Sequence, residues 1–341
     1  MTPRRFVVVL VLGLAALAAV PASDLDSSVR AVLARDLRFS PSEFADLQRG
    51  RTVKHTIDTN APGEVAVAGG VRVNAPKSAL LDGLRDIVHF KRNADVLQIG
   101  RFSNPPVIAD LDALTVDADD FDAKNCRVGD CSVRLPADVI RRLQQEIDPK
   151  APDAQEAGGR FFKKILFDDI AAYLAGSRDR MAQYDDGDRP IRPVDEFDAM
   201  LKNTPALGAL VPGLPAYLAA FPTNRLEGAE DFLYWSKEKF GIAPFITVTH
   251  VTIVCESVHT CVATSKDVYS SRYFDTSLAL TIATDSQSNP DTFYLVYANR
   301  SRANALKGGF GGLWRSIVGR RARGSLDDSL RSIKNLLEKG K

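Results

Sequence analysis

Several signatures of chemistry are missing from this sequence. It holds no Gly-x-Ser-x-Gly elbow, no His-Glu-x-x-His helix and no glycine loop with the Lys and Ser/Thr of a phosphate cradle, so no motif dictates a reaction. Neither sign of charge dominates: 44 basic against 43 acidic residues leave a net charge of +1. That balance removes any global pull toward nucleic acid, and any charged partner has to meet a local patch. Beyond the first two dozen residues no apolar run approaches membrane-spanning length, and there is no internal repeat or low-complexity tract. What remains is an ordinary globular composition, 45% hydrophobic and 26% charged over 341 residues, enough to bury a sizeable core.

The N-terminus carries the clearest message. Met1-Thr-Pro-Arg-Arg leads into an apolar run from Phe6 to Val20, then Pro21-Ala22-Ser23 and Asp24. This is the basic, apolar and small-residue order of a secretory signal peptide, with cleavage expected after Ala22. An uncleaved anchor is the alternative, but the run is short for the ~20 residues that cross a bilayer. The expected address is periplasmic or secreted. In such an oxidising compartment the four cysteines, close in sequence as Cys126 with Cys131 and Cys255 with Cys261, are expected to form two local disulfides across turns. Three connectivities remain open to the sequence.

Helical periods place short helices over 28–35 and 40–49, the second opened by a Ser40-Pro41-Ser42-Glu43 capping box. Strands are expected over 52–58 and 64–74, with a bulge at Gly69-Gly70, followed by a helix over 76–90. Further strand-like pieces cover 94–102 and 113–117, and Pro136 opens a helix with Val139, Ile140, Leu143 and Ile147 on one face. The pattern then reads as helical to about Gly241. From Ala243 it turns to consecutive antiparallel strands at 245–255, 261–268, 269–284 and 292–298. An amphipathic helical segment over 311–338, with a break near Gly324, closes the chain.

This order resembles the START-like, helix-grip (SRPBCC) superfamily, through residues 64–90 (Glu-Val-Ala-Val-Ala-Gly-Gly-Val-Arg-Val-Asn-Ala-Pro and the helix after it) and residues 243–338. The resemblance implies an α+β fold in which a curved antiparallel sheet packs on a long C-terminal helix around a cavity. Residues 23–136 and 242–341 would form that domain, 1–22 the signal peptide, and 137–241 an inserted helical subdomain that departs from the plan. The implied activity is binding of an apolar small molecule or lipid, with no cofactor and no catalytic residue carried over.

The residues expected to line such a cavity are His250, Arg272, Tyr269, Tyr273, Phe274, Trp314 and Ile317. Strand parity puts Arg272 with Val268, Phe274, Leu278 and Leu280, where a guanidinium could grip an acidic head or simply pair with Asp275 or Asp267. His250 reads as either a cavity group or a satisfied core histidine. Its grouping with Cys255, His259 and Cys261 has no standard zinc spacing. Asp117-Ala-Asp-Asp-Phe-Asp122 lacks the glycine and closing glutamate of a calcium loop and reads as a solvated acidic turn. Arg315, Arg320, Arg321 and Arg323 read as a solvated helix face, with peripheral contact to anionic lipid as the sharper alternative. The leading expectation is a non-enzymatic binding protein; the rivals are an acid/base hydrolase using His250 and a structural or interaction protein of the envelope.

Overall fold

An antiparallel sheet of eight strands, lying between two layers of helices, organises the computed structural model. The structure describes residues 24–59, 61–177, 183–187, 189–240, 243–303, 306–307 and 311–339, except the side chains of 240, 311–317 and 321. The expected signal peptide at 1–22 lies outside them. The strands are β1 (Val53–Ile57), β2 (Glu64–Val73), β3 (Val96–Arg101), β4 (Glu230–Phe240), β5 (Ala243–Cys255), β6 (Thr260–Ser270), β7 (Thr276–Asp285) and β8 (Phe293–Arg302). Their spatial order is β1-β2-β8-β7-β6-β5-β4-β3, every neighbouring pair antiparallel. The helices are α1 (Ser27–Asp36), α2 (Pro41–Gln48), α3 (Lys77–Arg85), α4 (Ile87–Phe90), α5 (Ala137–Glu146), α6 (Ala154–Leu174), α7 (Pro193–Lys202), α8 (Ala206–Leu210), α9 (Leu214–Ala220) and α10 (Gly311–Lys339). The α+β class and the closing C-terminal helix are as expected.

The two sheet faces are covered by different parts of the chain. On the first face α1, α2, α7, α8 and α9 pack against Ala66, Ala68, Leu278, Leu280, Ile282, Val296 and their neighbours. Beside them α5, α6 and the 102–135 segment close over Leu233, Trp235, Ile246 and Val248. On the second face Leu326, Leu330 and Leu337 of α10 meet Val67, Val71, Phe293 and Leu295, while Leu81 of α3 and Ile87 of α4 meet Phe232, Val251 and Ile253. A sheet covered on both sides must carry apolar residues on both, so its strands lose clean alternation.

Several local expectations hold. Ser40 accepts from the Glu43 amide and Glu43 from the Ser40 amide, closing the capping box. Both disulfides form, Cys126–Cys131 and Cys255–Cys261, the second joining residues that face each other across β5 and β6.

Others do not. The expected bulge at Gly69-Gly70 is absent, since both pair in continuous register with β1 and β8. The glycines instead admit a helix on each face: a Cβ at Gly69 would stand 3.1 Å from Leu326 and Leu330 of α10, and one at Gly70 would stand 3.4 Å from Leu47 of α2. The break expected near Gly324 does not occur, and α10 runs unbroken. The helical run ends at Ala220, and 230–240 is strand β4. Residues 113–117 form no strand. The single strand expected over 269–284 is two strands joined by a turn in which Tyr273 holds a left-handed φ of 69°.

Candidate functional site

On the second face the two apolar patches end, and a row of polar and small residues begins in the middle of the sheet. The pairing carries it from strand to strand: Asn299 on β8 faces Ala279 on β7, Ala279 faces Ser265 on β6, Asp267 on β6 faces Thr249 on β5, and Thr249 faces Tyr234 on β4. Tyr297 and its partner Thr281 flank the row. Interior strands under helices are expected to be dry, yet Ser265, Asp267, Thr281, Tyr297 and Asn299 all keep solvent-accessible surface. Side chains of Ala, Ser and Thr leave room that Leu or Phe would fill. This row of polar and small residues lies on the face that carries α10, α3 and α4, and is called the trough below.

Charge in the trough is arranged unevenly. Lys91, just past α4, pairs with Glu238 of β4, lies 5.4 Å from the Tyr234 ring centroid, and is partly exposed. Glu238 also accepts from the Ser236 hydroxyl at 2.6 Å. Burial alone would push the Glu238 carboxyl up, but Lys91 and Ser236 together hold it below the usual range. Among the described residues Asp267 has no such ion-pair partner. Among the described residues its hydrogen bond comes from the Thr249 hydroxyl, 3.1 Å away. Desolvation therefore dominates, Lys91 and Thr249 offset only part of it, and the Asp267 carboxyl is pushed up to about 7. Burial likewise raises the phenol of Tyr297 to about 12. A carboxyl that titrates near neutrality within reach of solvent can bind a cation, donate a hydrogen bond or exchange a proton.

The residues expected from sequence to line a cavity lie elsewhere. His250 is on the first face, with a side chain 0% exposed. Its Nε2 lies 2.8 Å from Asp231 Oδ1 and its Nδ1 lies 2.9 Å from the Tyr173 hydroxyl. The carboxylate can only accept, so Nε2 is assigned the proton and Nδ1 accepts from Tyr173. Asp231 also accepts from Tyr217 at 2.5 Å and Thr252 at 2.7 Å. Burial lowers the His250 pKa more than Asp231 raises it, which keeps the ring neutral. Every polar atom of the imidazole is satisfied. A cavity of about 60 Å³ beside Tyr173, Phe197, Phe221 and Lys266 is far below the ~300 Å³ of a typical ligand site. His250→Ala is expected to destabilise the fold by about 2–3 kcal/mol by removing its buried hydrogen bonds to Asp231 and Tyr173, as measured by urea unfolding.

Arg272, Tyr273 and Phe274 sit in the β6–β7 turn, so the parity that grouped Arg272 with strand residues does not apply. Arg272 donates to the Asp120 carbonyl, the Tyr273 hydroxyl bridges the Ala243 backbone, and Phe274 lies against Phe245. Tyr269 is core, donating to the Arg134 carbonyl at 3.1 Å. The side chains of Trp314 and Ile317 lie outside the described residues. So do those of Arg315 and Arg321 in the basic patch, of which Arg320 is exposed and Arg323 half-buried. The acidic turn is not wholly solvated: Asp120 is buried and binds Lys237 at 2.5 Å. No group of three or more His, Cys, Asp or Glu side chains that could hold a metal occurs among the described residues.

No family model, curated protein or solved structure matches the chain. No helix among the described residues is long and apolar enough to cross a membrane.

Sequence reasoning missed the trough. Asp267 entered only as a candidate partner for Arg272, and the signal that could have found it was Thr264-Ser265-Lys266-Asp267, four polar residues within an otherwise apolar strand.

Proposed function

We propose that this chain is an exported, non-enzymatic binding protein whose small-molecule ligand occupies the trough on the α10 face of the sheet. The observation that carries the reading is the desolvated yet solvent-reachable Asp267 in the central strands, beside small residues and away from either apolar patch. Polar groups in such a place weaken a core, so their presence calls for a gain outside folding. A ligand with a polar end suits the trough better than a wholly apolar one. The helix-grip resemblance belongs to this proposal: the long closing helix lies on the ligand-bearing face, and the helices between α5 and α9 form the insertion on the opposite one. Export through the N-terminal signal, into the compartment where both disulfides persist, belongs to it as well.

Ala279 lies in the row between Ser265 and Asn299, so a large side chain there fills the trough. Native mass spectrometry of the mature chain recovered from a bacterial periplasm is expected to show a retained small molecule. Ala279→Trp is expected to lose it at least tenfold while keeping the wild-type far-ultraviolet circular dichroism. No retained molecule, or equal retention in the folded variant, would overturn the proposal.

An acid/base enzyme built on His250 has the 2.8 Å contact to Asp231 in its favour. Substrate has no route to either ring nitrogen without breaking that contact or the one to Tyr173, which favours binding in the trough over chemistry at His250.

A further inference from the structure

We propose that the trough recognises a protonated amine, with the Asp267 carboxylate as receptor for the ammonium group and the tyrosines of β4 and β8 beside it. The inference rests on the trough being the ligand site and names the class of ligand it takes.

The groups facing Asp267 decide the matter between ligand charges. From α4 and its end comes Lys91, from β4 Glu238 and Tyr234, from β5 Thr249, and from β8 Tyr297. An anionic ligand would need a free cation, but the Lys91 ammonium is already paired with Glu238. A metal ion would need three or more ligating side chains, and the described residues offer no such group. A neutral ligand would leave Asp267 with the Thr249 hydroxyl as its hydrogen-bond donor among the described residues, a weak counterpart for a desolvated charge. A primary ammonium supplies what folding left out: a positive charge and up to three N–H donors, directed at a carboxylate where hydrogen bonds to ions are strongest. Tyr234 and Tyr297, both near Asp267, add apolar surface for its stem.

Since only the ionised carboxylate pairs with an ammonium, affinity is expected to be flat above about pH 7 and to fall about tenfold per unit below it. A protonated Asp267 has no charge to offer.

The probe is phenethylammonium, set against 3-phenylpropanol and 3-phenylpropionate as neutral and anionic counterparts of similar shape, with binding followed by saturation-transfer NMR at pH 8 and pH 5. The expected result is binding of phenethylammonium at pH 8, at least tenfold stronger than that of either counterpart. It is expected to weaken at least tenfold at pH 5 and in Asp267→Asn, and to vanish in Ala279→Trp. Preference for the alcohol or the carboxylate, lost in Ala279→Trp, would overturn the amine assignment and leave the trough as ligand site. Binding of phenethylammonium unaltered by Asp267→Asn would overturn the receptor role. Failure of all three probes, together with no molecule retained in the native mass spectrum, would remove both readings.

Discussion

Asp267→Asn is expected to make the protein more stable at pH 8, by up to about 4 kcal/mol for a rise of about 3 pKa units at 1.36 kcal/mol each. The sign follows from which state holds the proton. In the unfolded chain the carboxyl titrates near its ordinary 3.8; in the folded protein burial raises it to about 7. The native state therefore binds the proton more tightly, and the corresponding stability is fully present below pH 3.8 and lost as pH rises through about 7. At pH 8 the folded protein carries a desolvated carboxylate that Asn would replace with a neutral amide of the same shape. Urea unfolding should show the variant ahead of wild type at pH 8 and the two converging toward pH 4. A side chain that opposes folding at neutral pH and is kept in an interior strand is the pattern of a functional residue. A variant less stable than wild type at pH 8 would instead make Asp267 a structural partner.

The opposite behaviour is expected of Glu64, whose side chain is 0% exposed at the start of β2. Its two oxygens accept from Arg300 at 2.6 Å and Arg302 at 3.0 Å, on the paired strand β8, and Arg302 reaches on to Glu196 of α7 at 2.8 Å. This network ties the sheet to the helices of the first face. Glu64→Ala would strand one guanidinium without its counter-charge, and leave the other held by Glu196 alone. A loss of about 3–5 kcal/mol is expected, the usual result of removing one partner from a buried pair. Glu64→Gln should recover part of it by keeping an acceptor. Loss under 1 kcal/mol in Glu64→Ala, read from urea midpoints at constant slope, would mean that the network is solvated in solution.

Much of the fold was legible because its signals are local. The Ser40–Glu43 capping box, the strands after Ala243 and the pairing of near cysteines each depend on a few consecutive residues. Strand β4 was not, since Phe232 to Trp235 is apolar on consecutive positions and Lys237-Glu238-Lys239 follows. Helices cover both of its faces, which erases the alternation that marks a strand, and its ion pairs, Lys237 with Asp120 and Glu238 with Lys91, reach residues far away in sequence. The candidate site was hidden for a related reason. A register shift between Val248 and Thr249, and the turn from Ser271 to Asp275, change which residues share a face. Parity counted through them assembles Arg272 with strand neighbours it never meets, and leaves Asp267 among ordinary polar positions. Only the pairing of β4 through β8 brings Tyr234, Thr249, Asp267 and Tyr297 to one side.

Among the described residues the desolvated Asp267 carboxyl has a hydroxyl donor and no ion pair, and carbon-13 NMR titration of that carboxyl in the folded protein tests most directly whether it stands ready for a ligand. A midpoint near 7, moving down when phenethylammonium is added, is the result expected from the trough. A midpoint near the ordinary 3.8, indifferent to the amine, would place Asp267 in free solvent or in an ion pair and contradict the account.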